Sequence, residues 1–231
     1  MGSSLSHLIE VRNVSKYSMK CFGDKNKQVQ EKRSKKTQTK TKTISLDQIT
    51  EDMLTKTKEQ EIINSLLKET KSKHIEIIYN SELTEFDQRN IRTKIIGEQK
   101  IIFLVVTDRG SIFGFYQNDL VDKMKCCKQI KATSEDFFLF GSPYVYQTLE
   151  FYRRNKQIEN KNTTSFTLYE DNNNLVLSCY SSFWITKNGQ IGFNLCAKEH
   201  YNLPQINQNV FTGKQKTETT LCEKLLILKC L

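Results

Sequence analysis

The sequence predicts a mainly β fold with flanking helices, a two-sheet antiparallel β-sandwich, and three observations carry that prediction. First, Lys100 to Tyr116 reads KIIFLVVTDRGSIFGFY, two apolar β-branched and aromatic runs about the turn residues Thr-Asp-Arg-Gly. This is a β-hairpin whose first strand is too apolar to have a wet face, so it must lie centrally with layers on both sides. Second, eight or nine short apolar runs, separated by polar turn residues, fill the chain from residue 74 to its end. That spacing is the pattern of a sandwich. Third, the chain changes character twice before that region, dividing into a disordered basic arm (1–44), a helical connector (45–73) and the sandwich (74–231).

The arm holds eleven Lys or Arg against three acids, a net +8 of the whole chain's +9. The remaining residues are nearly neutral, so the pI of about 9.1 describes an arm and not a folded face. Its Lys/Thr/Gln composition cannot bury enough apolar surface to order itself. The opening Met-Gly-Ser-Ser-Leu-Ser fits the N-myristoylation pattern, with Gly2 as acceptor and Ser6 in the required place. One acyl chain holds a protein only marginally, and a basic cluster supplies the second signal. Lys25, Lys27, Lys32, Arg33, Lys35, Lys36, Lys40 and Lys42 form such a cluster, suited to an anionic membrane surface. Aromatics interleave only as Tyr17 and Phe22, before the densest charge, which makes nucleic acid the weaker target.

Ser45-Leu46-Asp47-Gln48 reads as a capping box. Leu46, Ile49, Met53 and Leu54, then Ile62, Ile63, Leu66 and Leu67, follow at helical spacing, as one long helix or two short ones. The apolar stripe is too short for a coiled coil and is expected to pack on the adjacent domain. Ile75 to Tyr79 is the first strand, and Ser81 to Ile96 a helix with Thr84 or Asp87 as cap and Gly97 as its stop. After the central hairpin, residues 117–135 are too polar and scattered to assign.

Phe137 to Phe140 is a short apolar strand closed by Gly141-Ser142-Pro143, and a further strand is expected over Tyr144 to Tyr152. Phe166–Tyr169 and Leu175–Tyr180 flank a polar turn, Glu170 to Asn174. Phe183–Thr186 and Ile191–Cys196 flank Lys187-Asn188-Gly189-Gln190, where Asn-Gly predicts a type I′ hairpin turn. Leu221 to Leu231 is the closing strand. Phe137, Phe138, Phe183 and Trp184 are predicted core.

The order of these elements, with these residues, resembles the TLDc domain family. The stretches that carry the likeness are IIYNSELTEFDQRN, KIIFLVVTDRGSIFGFY and SEDFFLFGSP, within a match over roughly residues 74–231. Gly114 stands at the first Gly of the family's FGG, and Phe115 replaces the second. Toward the end the family's Gly-Leu-Trp-Leu-Asp-like strand and Thr-Phe-x-Asn stretch have only GQIGFNLC (189–196) and NVFTGKQ (209–215) opposite them. The Lys/Asn/Ile-rich composition is similar to that of divergent, protist-type members. The resemblance implies a β-sandwich with flanking helices and a non-enzymatic role. For the better-known members it implies tolerance of oxidative stress and binding to subunits of the vacuolar proton-pumping ATPase.

The residues themselves offer little chemistry, and no catalytic constellation, metal site or cofactor is assigned. Seven Cys, an odd count without a Cys-x-x-Cys and with no secretory leader, read as free thiols in a cytoplasmic protein, peripheral at a membrane face if the arm is lipidated. Cys126 and Cys127 sit among Lys123, Lys125 and Lys128, where nearby cations would favour the thiolate, and they are the candidate redox pair. Cys196 and His200 stand at nucleophile-to-base or ligand spacing, but a metal site would need further ligands. Asp171 to Asn174 lacks the downstream Glu of an EF-hand and reads as a turn. The opposing function classes are a thiol-redox or other enzyme using these residues, and nucleic-acid binding through the arm.

Overall fold

The computed structural model describes residues 46–84, 86–122, 130–142, 148–155, 164–204, 209–214 and 220–231, with side chains from Lys58 onward except Thr84 and Lys131. The arm, the capping box at Ser45, and Tyr144 and Tyr146 lie outside these residues. The elements are α1 (Leu46–Thr70), β1 (Ile75–Asn80), α2 (Ser81–Thr84), α3 (Gln88–Ile95), β2 (Ile101–Thr107), β3 (Ile112–Gln117), β4 (Ile130–Thr133) and β5 (Phe137–Ser142). They continue with β6 (Glu150–Arg153), β7 (Thr164–Leu168), β8 (Leu175–Cys179), β9 (Phe183–Thr186), β10 (Gln190–Phe193), α4 (Ala197–His200) and β11 (Thr220–Cys230). Eleven strands form among the described residues, more than the eight or nine expected.

All pairings are antiparallel, and two layers result. The first sheet runs β1-β11-β2-β3-β5-β6, and the second runs β10-β9-β8-β7-β4. They are continuous through β11. Its first residues, Thr220 and Leu221, pair with Ile191 and Gln190 of β10. Its remainder pairs with β2 and β1. The register shifts between Cys222 and Lys224, the kind of irregularity that lets a strand turn from one sheet into another. The final apolar run is thus paired into the sheet, as expected of the closing strand, and is also the joint of the sandwich.

β2 lies between β11 and β3, and its two faces enter two cores, as its apolar sequence requires. Ile101, Phe103 and Val105 point between the sheets, where Phe103 stacks on Phe115 at 4.5 Å and meets Phe166 of the second sheet at 5.0 Å. Ile102 and Leu104 face outward and join Tyr116, Phe138, Phe140 and Leu228 beneath α1. Helix α1 supplies Ile62 and Leu66 to this outer core, and Leu66 is fully buried. Each such side chain contributes roughly 1.5–3 kcal/mol on burial, which is why the connector helix lies down on the sheet. A Schellman motif ends it: Lys71 at φ 55 is followed by Ser72, whose N–H donates to Leu67 O at 3.0 Å.

The expected helix over Ser81–Ile96 is broken into α2 and α3. Asp87 interrupts it as the N-cap of α3, accepting from Arg89 N at 2.9 Å. Ile91 and Ile95 then seal one end of the inner core. Gln88, also buried, donates through Nε2 to Glu170 O, Asn173 O and Leu175 O at 2.9–3.2 Å and pins the β7–β8 turn to α3.

Three further expectations change. The β9–β10 turn is not type I′: only Gly189 has positive φ (76), and its N–H donates to Thr186 O at 2.9 Å. Pairing of Ile185 with Ile191 leaves three loop residues between Thr186 and Gln190, so a type I turn with an αL glycine closes the hairpin. Of the strand expected over Tyr144–Tyr152, the first part lies outside the described residues and the described part is strand only from Glu150, as β6; Ile130–Thr133, in the stretch too polar to assign, is β4, paired to β7. Trp184 is not core. Phe183 and Ile185 point inward, so period-two alternation turns Trp184 outward, 37% exposed, with its indole lying against Gly192.

Candidate functional site

One end of the second sheet gathers the polar and strained groups that the packing leaves over. The β8–β9 connection, Tyr180-Ser181-Ser182, carries Ser181 at φ 49, an uncommon backbone for a residue with a side chain. Asn194, just past β10, holds this turn by donating from its N–H to Ser182 O at 2.7 Å. Beyond it come Leu195, Cys196, α4, and the segments at Tyr201–Leu203 and Asn209–Lys214. Two adjoining hollows result. The first is walled by Phe193, Ala197, Leu203, Val210 and Phe211, with Asn194, Lys198 and Asn209 at its polar side. The second runs over Thr167, Ser178, Tyr180 and Trp184. Ser182 and Asn194 belong to both and form the shared wall.

The outer face of the second sheet continues this surface. Register places Thr167, Ser178, Trp184 and Gly192 in one row across β7, β8, β9 and β10. Tyr169 Oη and Ser178 Oγ share a hydrogen bond at 3.2 Å beside that row. The face is therefore hydroxyl-rich with one indole at its centre.

Behind the wall is a buried polar knot. Tyr201 Oη donates to Tyr180 O at 2.5 Å, and Tyr201 forms an isolated bridge with Arg154. Arg154 is buried, its guanidinium 4.6 Å from the Phe137 ring centroid and 6.0 Å from that of Tyr180, and its Nη2 donates to Thr164 O at 2.5 Å. Cation–π contact of this kind is stronger where water is excluded. Cys179 lies beside this group. Burial pushes its thiol far above the usual range, outweighing Arg154, Tyr201 and Ser182, which favour the thiolate. Burial likewise raises Tyr201. Ser182, which stands against that sulfur, is itself buried.

Gly2, the eight basic residues Lys25, Lys27, Lys32, Arg33, Lys35, Lys36, Lys40 and Lys42, and Cys126 and Cys127 lie outside the described residues. Cys196 and His200 are described, at the two ends of the α4 turn. Cys196 is exposed, and its N–H donates to Asn194 Oδ1 at 2.9 Å. The His200 ring meets Tyr180 edge-on at 5.4 Å, and its buried Nδ1 makes no hydrogen bond among the described residues. No group of three or more His, Cys, Asp or Glu among the described residues is arranged to hold a metal ion. Cys222 and Cys230 are buried, and desolvation raises both thiols. Desolvated thiols of this kind are poor nucleophiles, since attack needs the thiolate.

The residues that sequence reasoning missed are Arg154, Ser182 and Tyr201. No local spacing could have found them, because Arg154 and Tyr201 come together only in the folded chain, through the isolated bridge and their side chains. A family model described as TLDc domain matches residues 48–223, which takes in most of α1 and the sandwich into β11. No curated protein matches the chain.

Proposed function

The chain belongs to the TLDc domain family, and on that footing we propose that it is a non-enzymatic protein-interaction module held at a membrane face by its arm. The single observation that carries the reading is the span of the family match, 176 of 231 residues from 48 to 223. Three of the four described thiols support it, since Cys179, Cys222 and Cys230 are raised by burial and unsuited to redox exchange. Members' ties to oxidative-stress tolerance and to the vacuolar proton-pumping ATPase make that pump the first partner to test. The tether is Gly2 with the basic cluster Lys25 to Lys42, two weak signals that together give stable anchoring.

The test is metabolic labelling with a myristate analogue, membrane fractionation, and recovery of pump subunits with wild type and Gly2→Ala. The reading expects label on wild type, a shift of the variant to the soluble fraction, and reduced pump recovery. Unlabelled protein whose fractionation ignores the variant rejects the tether. Pump subunits absent from both preparations reject the pump as partner. Binding that falls steeply with salt and vanishes without residues 1–44, with nucleic acid recovered, would assign the arm to that polymer instead.

A further inference from the structure

We propose that the second hollow, over Thr167, Ser178, Tyr180 and Trp184, binds a neutral pyranose sugar, with the Trp184 indole as its stacking platform. The inference goes beyond the interaction-module reading and does not depend on it. Trp184 lies over Gly192, where an added Cβ would fall on indole atoms Cε2 and Cζ2. One face of the ring is therefore set against the β10 backbone, while the side chain keeps 37% exposure and lines the hollow. Covering a strand glycine with an aromatic ring supports the strand, but it does not account for what surrounds the ring. Hydroxyls and one amide stand around it, from Thr167, Ser178, Tyr180, Ser181 and Asn194.

Charge, hydrogen bonding and shape select the ligand. No residue lining this hollow carries a formal charge at neutral pH. The register adds Lys131 of β4, opposite Thr167, but three strands and about 14 Å from Trp184. A phosphate or carboxylate on the indole thus finds no cation among the lining residues. That disfavours single-stranded nucleic acid, although its bases stack on aromatic rings. Ser178 Oγ and Tyr169 Oη share one hydrogen bond at 3.2 Å in which either can donate. The pair retains a hydrogen and lone pairs for a ligand hydroxyl, which also both donates and accepts. The hollow offers about 200 Å³ beside the flat ring. A pyranose has the matching form: its axial C–H bonds make a weakly positive face for the electron-rich indole, and its equatorial hydroxyls project from the rim toward the protein's hydroxyls. A polyproline segment, the other neutral ligand of aromatic surfaces, docks in aromatic-lined grooves, and its rings carry no hydroxyl or N–H to engage Thr167 and Ser178.

The experiment titrates the full chain with methyl β-glucoside, methyl α-mannoside and cellotriose and reads the fluorescence of Trp184, the chain's one tryptophan. The proposal expects a saturable change with at least one of them. A ring of about a dozen non-hydrogen atoms at ordinary ligand efficiency should reach a Kd of about 1 mM. Sorbitol, with the same hydroxyls and no ring face, should bind about tenfold or more weakly, the order of one ring stacked on an aromatic side chain. Trp184→Leu should lose as much, read by saturation transfer to the glycoside protons. Thr167→Val, of equal shape, keeps the indole as reporter and should weaken binding about threefold to tenfold, as loss of one hydrogen bond does. A response that stays linear with all three glycosides, equal binding of sorbitol, or unchanged affinity in both variants overturns the proposal. Saturation by acetyl-hexaproline-amide at lower concentration than by any glycoside assigns the indole to a polyproline segment instead, and tighter saturation by oligouridylate assigns it to a single strand. Either result rejects a sugar occupant.

Discussion

Replacing Gly114 by alanine should damage the fold more than any other single added methyl group in the first sheet. Gly114 sits in β3 opposite Leu104 of β2 and Phe140 of β5, on the face beneath α1. An alanine Cβ there would fall on the Phe103 carbonyl oxygen, with Phe103 C at 2.9 Å and Phe140 Cζ at 2.8 Å. The ring could turn aside, but the carbonyl belongs to the central strand and cannot move without disturbing the ladder. Overpacking a rigid site costs about 1–3 kcal/mol, and a backbone clash belongs at the upper end, so about 3 kcal/mol is expected. At roughly 2–4 °C per kcal/mol for a chain of this size, Tm should fall by about 6–12 °C. Thermal unfolding followed by circular dichroism reads this directly. A double-mutant cycle with Phe140→Leu separates the two clashes. Trimming the ring should recover less than about 1 kcal/mol, because the backbone oxygen remains. A Gly114→Ala protein melting within about 2 °C of wild type, or one largely rescued by Phe140→Leu, would refute the close-approach argument.

Gln88→Glu removes the amide hydrogens that three carbonyls share and buries an acceptor against acceptors, so urea titration near neutral pH should show a loss of about 3 kcal/mol. The loss should shrink as pH falls toward the ordinary carboxyl value of about 4, because burial against carbonyls makes the folded state take up the proton above that value and a protonated Glu can donate. The raised thiols of Cys179, Cys222 and Cys230 favour proton binding in the folded state. Their contribution is fully present below the unfolded thiol pKa of about 8.5 and is lost as pH rises beyond it, by up to about 1.4 kcal/mol per pH unit per thiol. Cys222→Ala should flatten this fall between pH 8.5 and 10, and an unchanged slope would count against burial as the cause. Brief iodoacetamide treatment followed by peptide mapping should mark Cys196 among the four described free thiols and spare the other three until denaturant is added. Leu66→Ala should cost about 2–5 kcal/mol, and removing residues 46–73 should give a protein that binds a hydrophobic dye through uncovered Leu104, Phe140 and Leu226.

Legibility in the sequence followed how local each constraint is. Lys100 to Tyr116 announced a central hairpin because a strand apolar on both faces has one solution, and β2 indeed lies between two cores. The role of β11 was hidden, since a run of Leu225-Leu226-Ile227-Leu228 looks the same whether it closes a sheet or joins two. β4 escaped notice because only Ile130 and Ala132 of its four residues face inward, within a polar stretch. Trp184 is legible from the period of two alone: Phe183 and Ile185 point inward, so alternation turns it outward, against the general tendency of tryptophan to be buried. Asn188-Gly189 misled for a different reason. A dipeptide signals a turn, but the register of Ile185 against Ile191 decides how many residues the turn contains. The candidate site was least legible of all, because Ser182, Lys198 and Val210 come together only after two hairpins and α4 have folded.

The layering makes the two halves of the functional reading separable. Helix α1, which follows directly from the basic arm, packs on the outer face of the first sheet. The cleft and Trp184 belong to the second sheet, with the phenylalanine core of both sheets between. Effects at sites that do not touch add, so the two readouts are expected to move independently. Gly2→Ala should change where the protein resides and leave glycoside affinity in solution untouched. Trp184→Leu should change what the hollow holds and leave fractionation with anionic lipid untouched. A sugar carried on a lipid of the same membrane would still sense both, because tethering raises its effective concentration at the hollow without any new contact. Loss of flotation with glycolipid vesicles in each single variant, with neither altering the other's readout, would thus mark two sites acting on one membrane, whereas a Gly2→Ala effect on glycoside affinity in solution would show that the arm reaches the hollow itself.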